Sequence, residues 1–264
     1  MRKENHSLFF LSAVSDAAGT LTNDEYRHAF RALRIAPDGA LYATDGKGNI
    51  YKCKLAPRSG ETGEVDIVET ARQPPFLPPV RVFIGLPERE PFEAALAALS
   101  ALGAAAIIPV IGRYCQEQWW RPWEKRGERL RRIMIAGIKQ AHNPWLPDLR
   151  APQPLDEALS TLGAEPALRP LRLVADCDAD ALTAVLRRTE GIDRVDCFIG
   201  PPGGFSPDEL DLLRPEIFKR VGLSPFRLRT ELAAIVSCAQ IMQHFTETSG
   251  RRIYLISNSS DRQK

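Results

Sequence analysis

The chain is poor in the residues that build metal and disulfide frameworks. Its 264 residues include five cysteines and four histidines. Cys53, Cys115, Cys177, Cys197 and Cys238 are odd in number, widely spaced and never in a C-x-x-C pair. That argues against both a disulfide framework and a zinc site. Four of the five cysteines have apolar or strand-like neighbours and read as buried thiols. His6, His28, His142 and His244 form no metal-spaced pair, so no metal is expected. No apolar run reaches the length of a membrane-spanning helix. The apolar part of the opening MRKENHSLFFLS is too short for a signal peptide, so a cytoplasmic location is expected. Charge of one sign is missing too, the net charge being +2.

What is present is an ordinary globular composition, 44% hydrophobic and 26% charged, enough for a sizeable core and against disorder. Of the 35 basic residues, 27 are Arg. Guanidinium forks pair with phosphates and stack on bases, which slightly favours a nucleic-acid partner. Joint enrichment of Arg, Ala and Pro also fits a GC-rich coding bias.

Residues 1–73 read as short strands and turns. LYATDGKGNIYKCKL places a hairpin turn at Asp45–Gly48 between alternating strands. Residues 23–33 read as a helix with Thr22 as N-cap and Glu25 completing a capping box. RQPPFLPP, residues 72–79, holds four prolines and reads as an interdomain linker. Beyond it, strands at 81–86, 104–111, 171–175 and 195–200 alternate with helices at 91–102, 123–141, 178–188, 207–213 and 233–245. Ile133, Ile135, Ala136 and Ile138 mark the expected apolar side of the second of these helices. The alternation predicts an α/β domain with a mainly parallel sheet.

Two segments carry chemistry. In VDCFIGPPGGFSPDEL, residues 195–210, an apolar strand enters a glycine loop that can approach a ligand closely, at the strand end where parallel sheets bind small molecules. The loop is neither a P-loop nor G-x-G-x-x-G. Ser206, Asp208 and Glu209 read as a helix cap with acids in the first turn. In the second segment, residues 221–245, Arg227 and Arg229 alternate on an extended stretch and so point the same way, toward a phosphate or toward Glu231, with Thr230 capping the last helix.

Together these segments resemble the ribosomal RNA small subunit methyltransferase E family of the knotted SPOUT superfamily. The family's G-P-E-G-G-F-S is matched by residues 200–206, and its L-G-x-R-I-L-R-T-E-T-A by residues 223–233. Its H-L-x-x-V-L-R, D-G-K-G, K-G-D-R-M-E and A-T-E-L-G segments are similar to residues 28–34, 45–48, 88–93 and 99–103. Its I-x-P strand with a following Arg is matched at Ile108, Pro109 and Arg113, and its E-Q-S-x-R helix end at residues 139–143. The sequence departs from the family pattern at Pro202, Ser224, Glu88, Ala101, Asn143 and Leu232.

The resemblance implies a PUA-like β-barrel over 1–73, binding RNA, and a SPOUT α/β domain over 79–250 with a C-terminal trefoil knot. It implies that S-adenosyl-L-methionine binds among three loops: Val174, Ala175 and Asp176; Ile199, Gly200, Pro202, Gly203 and Gly204; and Leu223, Ser224 and Leu228. The implied reaction is methyl transfer to ring N-3 of a uridine in 16S ribosomal RNA. Arg229 would stabilise charge on the uracil and Glu231 would orient Arg229. The target base must be unstacked to enter.

The expected RNA contacts are His28, Arg31, Arg34 and Arg113, although the first three also fit a solvated helix face. Residues 113–132, basic and interleaved with Trp119, Trp120 and Trp123, fit either RNA binding or packing of the Trp side chains. The expected partners are ribosomal RNA or the small ribosomal subunit and a second copy joined through the knot. A catalytically impaired RNA-binding relative is the alternative reading.

Overall fold

The structure is a computed structural model, described for residues 7–29, 39–55, 63–115, 121–162 and 169–249. The described residues of Met1–Pro75 group with Ile138–Leu146 in one compact unit, and those of Phe76–Gly137 group with those of Pro147–Arg252 in another.

In the first unit, β1 (Leu8–Val14), β2 (Ala18–Leu21), β3 (Ala40–Thr44), β4 (Asn49–Leu55) and β5 (Glu64–Arg72) close into a barrel in the order β1-β2-β5-β4-β3. The β1–β3 seam is parallel and the other pairings are antiparallel. Alternate residues turn inward, so Leu41, Ala43, Cys53, Leu55 and Val65 meet Phe9, Leu11 and Leu21 in a dry core.

The hairpin expected at 45–48 joins β3 to β4, with Gly46 and Gly48 at φ +77° and +89°. Asp45 organises it, accepting from the Lys47 amide at 2.8 Å, Asn49 Nδ2 at 2.8 Å and the Tyr51 hydroxyl at 3.0 Å. Burial pushes the Asp45 carboxyl up, but these hydrogen bonds outweigh it and leave the group below its ordinary value.

Residues 138–146 cover this turn. The Gly48 amide donates to Pro144 O and the Leu146 amide to Gly46 O, each at 2.9 Å. A Cβ on Gly48 would sit 2.2 Å from the Trp145 ring. Helix α1 is Asn23–Arg27 with Thr22 accepting from the Glu25 amide, as expected of the cap. The second half of the expected capping box is replaced: the Glu25 carboxylate bonds Lys139 instead. The end of the expected helix, residues 30–33, lies outside the described residues.

The second unit is built on a parallel sheet. Its strands are β6 (Val80–Gly85), β7 (Ala106–Ile111), β8 (Asp148–Leu149), β9 (Gln153–Pro154), β10 (Pro170–Ala175), β11 (Arg194–Ile199) and β12 (Lys219–Val221). They run in the order β12-β10-β11-β6-β7-β8, with β9 also on β7. Its helices are α2 (Arg89–Leu102), α3 (Gly127–Gln140, whose residues from Ile138 on group with the barrel), α4 (Leu155–Leu162), α5 (Leu182–Arg187), α6 (Pro207–Leu212) and α7 (Thr230–Ser249). A 3-10 turn at Trp123–Arg126 precedes α3.

Every residue of β6 and β11 is buried, as central parallel strands require. One face of the sheet stacks Phe83 on Phe198, centroids 4.1 Å apart, against Leu155, Ala158, Leu162 and Phe218. Each such fully buried aromatic contributes about 1.5–3 kcal/mol. Helices α5 and α2 pack against α7, which lies on β6 and β11. Helix α2 ends where expected, at Gly103 with φ +90°.

Three expectations are corrected. The buried side of α3 is Leu130, Met134, Gly137 and Ile138, whereas Ala136 is exposed and Ile133 and Ile135 are half-buried. Close approach to α2 selects that side, since a Cβ on Gly137 would lie 2.4 Å from Ala97 O. Residues 178–181 are loop rather than helix. The Asp178 amide turns back to Asp176 Oδ1, and Asp180 O accepts from Gly222 N at 2.8 Å. Only Cys53, Cys197 and Cys238 are buried, whereas Cys115 is half-buried and Cys177 exposed.

Candidate functional site

Three strands of the parallel sheet end side by side, and each end is bent by a glycine or a polar cap. After β11, the Gly204 amide closes a tight turn on Pro201 O at 2.7 Å, with Gly204 at φ +78°. The turn leads into α6 through a full capping box of Ser206 and Glu209. Glu209 does more than cap, because it also accepts from the Arg113 amide at 2.8 Å and so holds the loop after β7. The β11 bend runs close over β6: a Cβ on Gly85 would lie 2.2 Å from Pro201 N.

At the end of β10, Asp176 accepts from Arg220 Nη1 at 3.1 Å, tying β10 to β12. After β12, Gly222 forms a parallel bridge with Ala181 in the loop following β10. Its amide donates to Asp180 O, its carbonyl accepts from the Leu182 amide at 2.9 Å, and a Cβ there would stand 2.7 Å from Ala179 O. The chain then bends at Ser224, whose Oγ accepts from the Phe226 amide at 3.1 Å. Gln240 of α7 donates to Leu223 O at 3.2 Å. Thr230 Oγ1 donates to Gly200 O at 2.9 Å, fastening the start of α7 to the β11 bend. The Thr230 hydroxyl therefore joins two bends instead of capping α7.

These bends enclose a cavity of about 390 Å³, within the range of small-molecule sites. Of the residues expected to hold a ligand, Ala175, Asp176, Ile199, Gly200, Pro202, Gly204, Leu223, Ser224 and Leu228 line it. Two expected residues do not. Val174 is 2% exposed and faces the Phe83–Phe198 core, because neighbours on a strand point to opposite sides. Gly203 faces Tyr114, whose Cβ would be 2.7 Å from a Cβ added there. Cys177, Pro201, Phe205, Leu210, Phe226, Arg227, Thr230 and Ala233 also line the cavity. Most are neighbours of the expected residues, and Gly200-Pro201 at the end of an apolar strand was the available signal.

Arg227 and Arg229 do not share a side. Of the two, only Arg227 lines the cavity. Both are exposed, and among the described residues neither they nor Glu231 makes an ion pair. Arg113 is exposed and pairs with Asp208 at 3.5 Å. His28 is exposed, its ring 6.2 Å from that of Phe9. Arg31 and Arg34 lie outside the described residues, as do Trp119 and Trp120. Trp123 packs edge-on to Phe92 at 6.2 Å.

The profile of an RNA methyltransferase domain matches residues 74–242, and that of an RNA methyltransferase PUA domain matches 21–68. The chain belongs to the RNA methyltransferase family. This methyltransferase is 29% identical over 248 residues to the ribosomal RNA small subunit methyltransferase E of Mycobacterium bovis, covering 89% of this chain and 90% of that one. It is 27% identical over 229 residues to the protein of the same name from Synechocystis, covering 86% of this chain and 74% of that one. Its fold is similar to the crystal structure of a ribosomal RNA small subunit methyltransferase E from Neisseria gonorrhoeae bound to S-adenosyl methionine, with a TM-score of 0.76, 23% identity and coverage of 90% of this chain and 98% of that one. The methyltransferase thus has a PUA-like barrel followed by an α/β methyltransferase domain.

Among the described residues no group of three metal-ligating side chains occurs, and no helix is long and apolar enough to cross a membrane. The thiols of the methyltransferase give a direct probe of the cavity. Burial pushes the Cys53, Cys197 and Cys238 thiols up to about 12, so at pH 8 only about one in ten thousand is ionised and reactive. Exposed Cys177, on the cavity wall, is expected to react first with a disulfide reagent at pH 8, with the three buried thiols silent until the protein unfolds. A C177S variant that kept the fast phase would contradict this assignment.

Proposed function

We propose that the cavity holds S-adenosyl-L-methionine and that the chain methylates ring N-3 of a uridine in 16S ribosomal RNA. The juxtaposition of three strand-end bends around one small-molecule-sized cavity carries this reading. The residues fit the group. Gly85 and Gly200 let backbone approach closely, and Ile199, Leu223, Leu228 and Ala233 offer apolar walls. Peptide groups of the bends supply donors and acceptors for an adenosine. When bound, the cofactor supplies a methyl carbon already activated on a sulfonium.

The chain's own residues then have to position a uracil and stabilise its anion. Loss of the N-3 proton to water places negative charge on the flanking carbonyl oxygens as the N–C bond forms and the C–S bond breaks. Arg229 is exposed and lies outside the cavity lining, two residues from Arg227 within it, and its guanidinium is the proposed electrostatic stabiliser. Glu231, two residues on and without an ion pair among the described residues, orients Arg229 in that complex. His28, Arg31, Arg34 and Arg113 are the proposed RNA contacts, with ribosomal RNA or the assembled small subunit as partner in the cytoplasm. A C-terminal trefoil knot is part of this reading by the family resemblance. Exposed apolar Phe226 and Leu232 support pairing with a second copy through that segment.

Two measurements test the reading. Calorimetry is expected to give binding of S-adenosylhomocysteine, and the bound ligand is expected to slow Cys177 modification. Methyl transfer to small-subunit RNA is expected to fall about 100-fold in R229Q, through kcat, with S-adenosylhomocysteine affinity unchanged. Absence of any cofactor binding would favour the second reading, an RNA-binding relative without activity. The observation behind that alternative is Pro202, which lines the cavity where the family motif carries Glu.

A further inference from the structure

The cavity is nearly free of charge, and its two ionic side chains differ in what they already hold. Asp176 is engaged on both oxygens: Oδ2 accepts from Arg220 and Oδ1 from the Asp178 amide. Its charge is thereby committed to fixing the ends of β10 and β12. Arg227 is the other ionic group of the lining. It has no ion pair and no hydrogen bond among the described residues. The backbone on either side of it is held by the Ser224 turn and by the Thr230–Gly200 bond.

We propose that Arg227 is the receptor for the carboxylate of the methionine arm, and hence the residue by which the site tells S-adenosylmethionine from other adenine nucleosides. The proposal rests on the cofactor reading given above and adds the subsite.

The chemistry narrows the choice. A guanidinium presents a planar fork of donors that matches a carboxylate in two parallel hydrogen bonds. Apart from Asp176 and the Cys177 thiol, the rest of the lining consists of apolar side chains, hydroxyls and peptide groups, and these suit a nucleoside. Of the cofactor's parts only the carboxylate is an anion. The sulfonium and the ammonium are both cations, which a guanidinium repels, so Arg227 orients the arm as well as holding it. Arg229 lies outside the lining and is left for the RNA, so two arginines separated by Leu228 are divided between two ligands.

The test is a cycle of two ligands against three proteins, read as dissociation constants by calorimetry. S-adenosylhomocysteine carries the amino-acid arm, whereas methylthioadenosine keeps the nucleoside and the sulfur without it. In R227Q the affinity for S-adenosylhomocysteine is expected to fall about 10-fold or more, the loss of a charge-assisted hydrogen bond. Affinity for methylthioadenosine is expected to stay within a factor of two. R227K, which keeps the charge but not the fork, is expected to fall between.

Equal loss for both ligands would overturn the proposal by making Arg227 a general wall of the site. No loss for either, with reduced transfer to RNA, would overturn it by assigning Arg227 to the nucleic acid. Failure of the unaltered chain to bind either ligand would reject the cofactor reading itself, which is a different result. Arg227 is exposed, and unchanged melting of R227Q is the check that the comparison is between folded proteins.

Discussion

Replacing Asp196 by Asn is expected to lower the unfolding free energy by about 3–5 kcal/mol. The carboxylate sits on β11 with no solvent exposure, and two arginines converge on it. Arg81 Nε, from β6, donates at 2.6 Å, and Arg194 Nε, from β11, at 3.1 and 3.3 Å. The arginines are 6% and 4% exposed, and the Arg81 guanidinium also lies over the Phe83 ring at 5.4 Å.

Asn keeps the volume of Asp, so no cavity opens and packing is not the reason for the loss. Two guanidinium groups are instead left in the interior without the carboxylate they share, and the cost of desolvating them is no longer offset. Domains of this kind have about 5–15 kcal/mol in all, so the variant is expected near the edge of stability. Urea unfolding followed by circular dichroism measures it. Asp208→Asn is the matching control. Its pair with Arg113 is exposed on both sides and separated by 3.5 Å, and such pairs are worth about 0–1 kcal/mol. Equal midpoints for the two variants would refute a structural role for the buried cluster.

How much of this was legible beforehand follows from the range of the forces involved. The 45–48 turn, the Gly103 stop and the Ser206 cap depend on residues within four or five positions and stand where the pattern put them, whereas the strand ends of the second unit fall up to two residues away. The three loops expected to hold a ligand border one cavity, but not every side chain named on them faces it. Naming Val174, Ala175 and Asp176 together ignores the strand's two-residue period, which sends Val174 into the core. Treating Arg227 and Arg229 as facing alike assumed a strand-like stretch, and residues 227–229 belong to no strand.

Helix α4 had a readable signal that was missed, apolar Leu155, Ala158 and Leu162 at helical spacing. Strand β12 had almost none, being three residues with two exposed. Nothing local marks residues 138–146 as the cover of the 45–48 turn, because the bonds that do it join positions about a hundred apart. The Glu25–Lys139 pair is of the same kind, and it uses the carboxylate that a local rule assigned to a capping box.

Gly85 is the residue whose substitution should reach the site most directly without touching a ligand. It ends β6, paired with Val110 of β7 on one side, and the Gly200–Pro201 bend lies against its open face. A methyl group added there would stand 2.2 Å from Pro201 N, 2.6 Å from Pro201 Cδ and 2.7 Å from Gly200 C. Two of those atoms are backbone and the third belongs to a fixed ring, so no rotamer change relieves the contact. The bend has to move, and Gly200 cannot move alone because its carbonyl holds Thr230 and through it the start of α7. Gly85→Ala is therefore expected to cost about 1–3 kcal/mol of stability, as overpacking does. Its effect on the cavity should be larger in proportion, since two of the three enclosing bends shift together. Affinity for S-adenosylhomocysteine is expected to fall by about 100-fold, the equivalent of about 2.8 kcal/mol. Calorimetry on the folded variant, with melting as the check on stability, reads both quantities. A G85A protein that binds the ligand as the unaltered chain does would mean that the β11 bend takes no part in holding it.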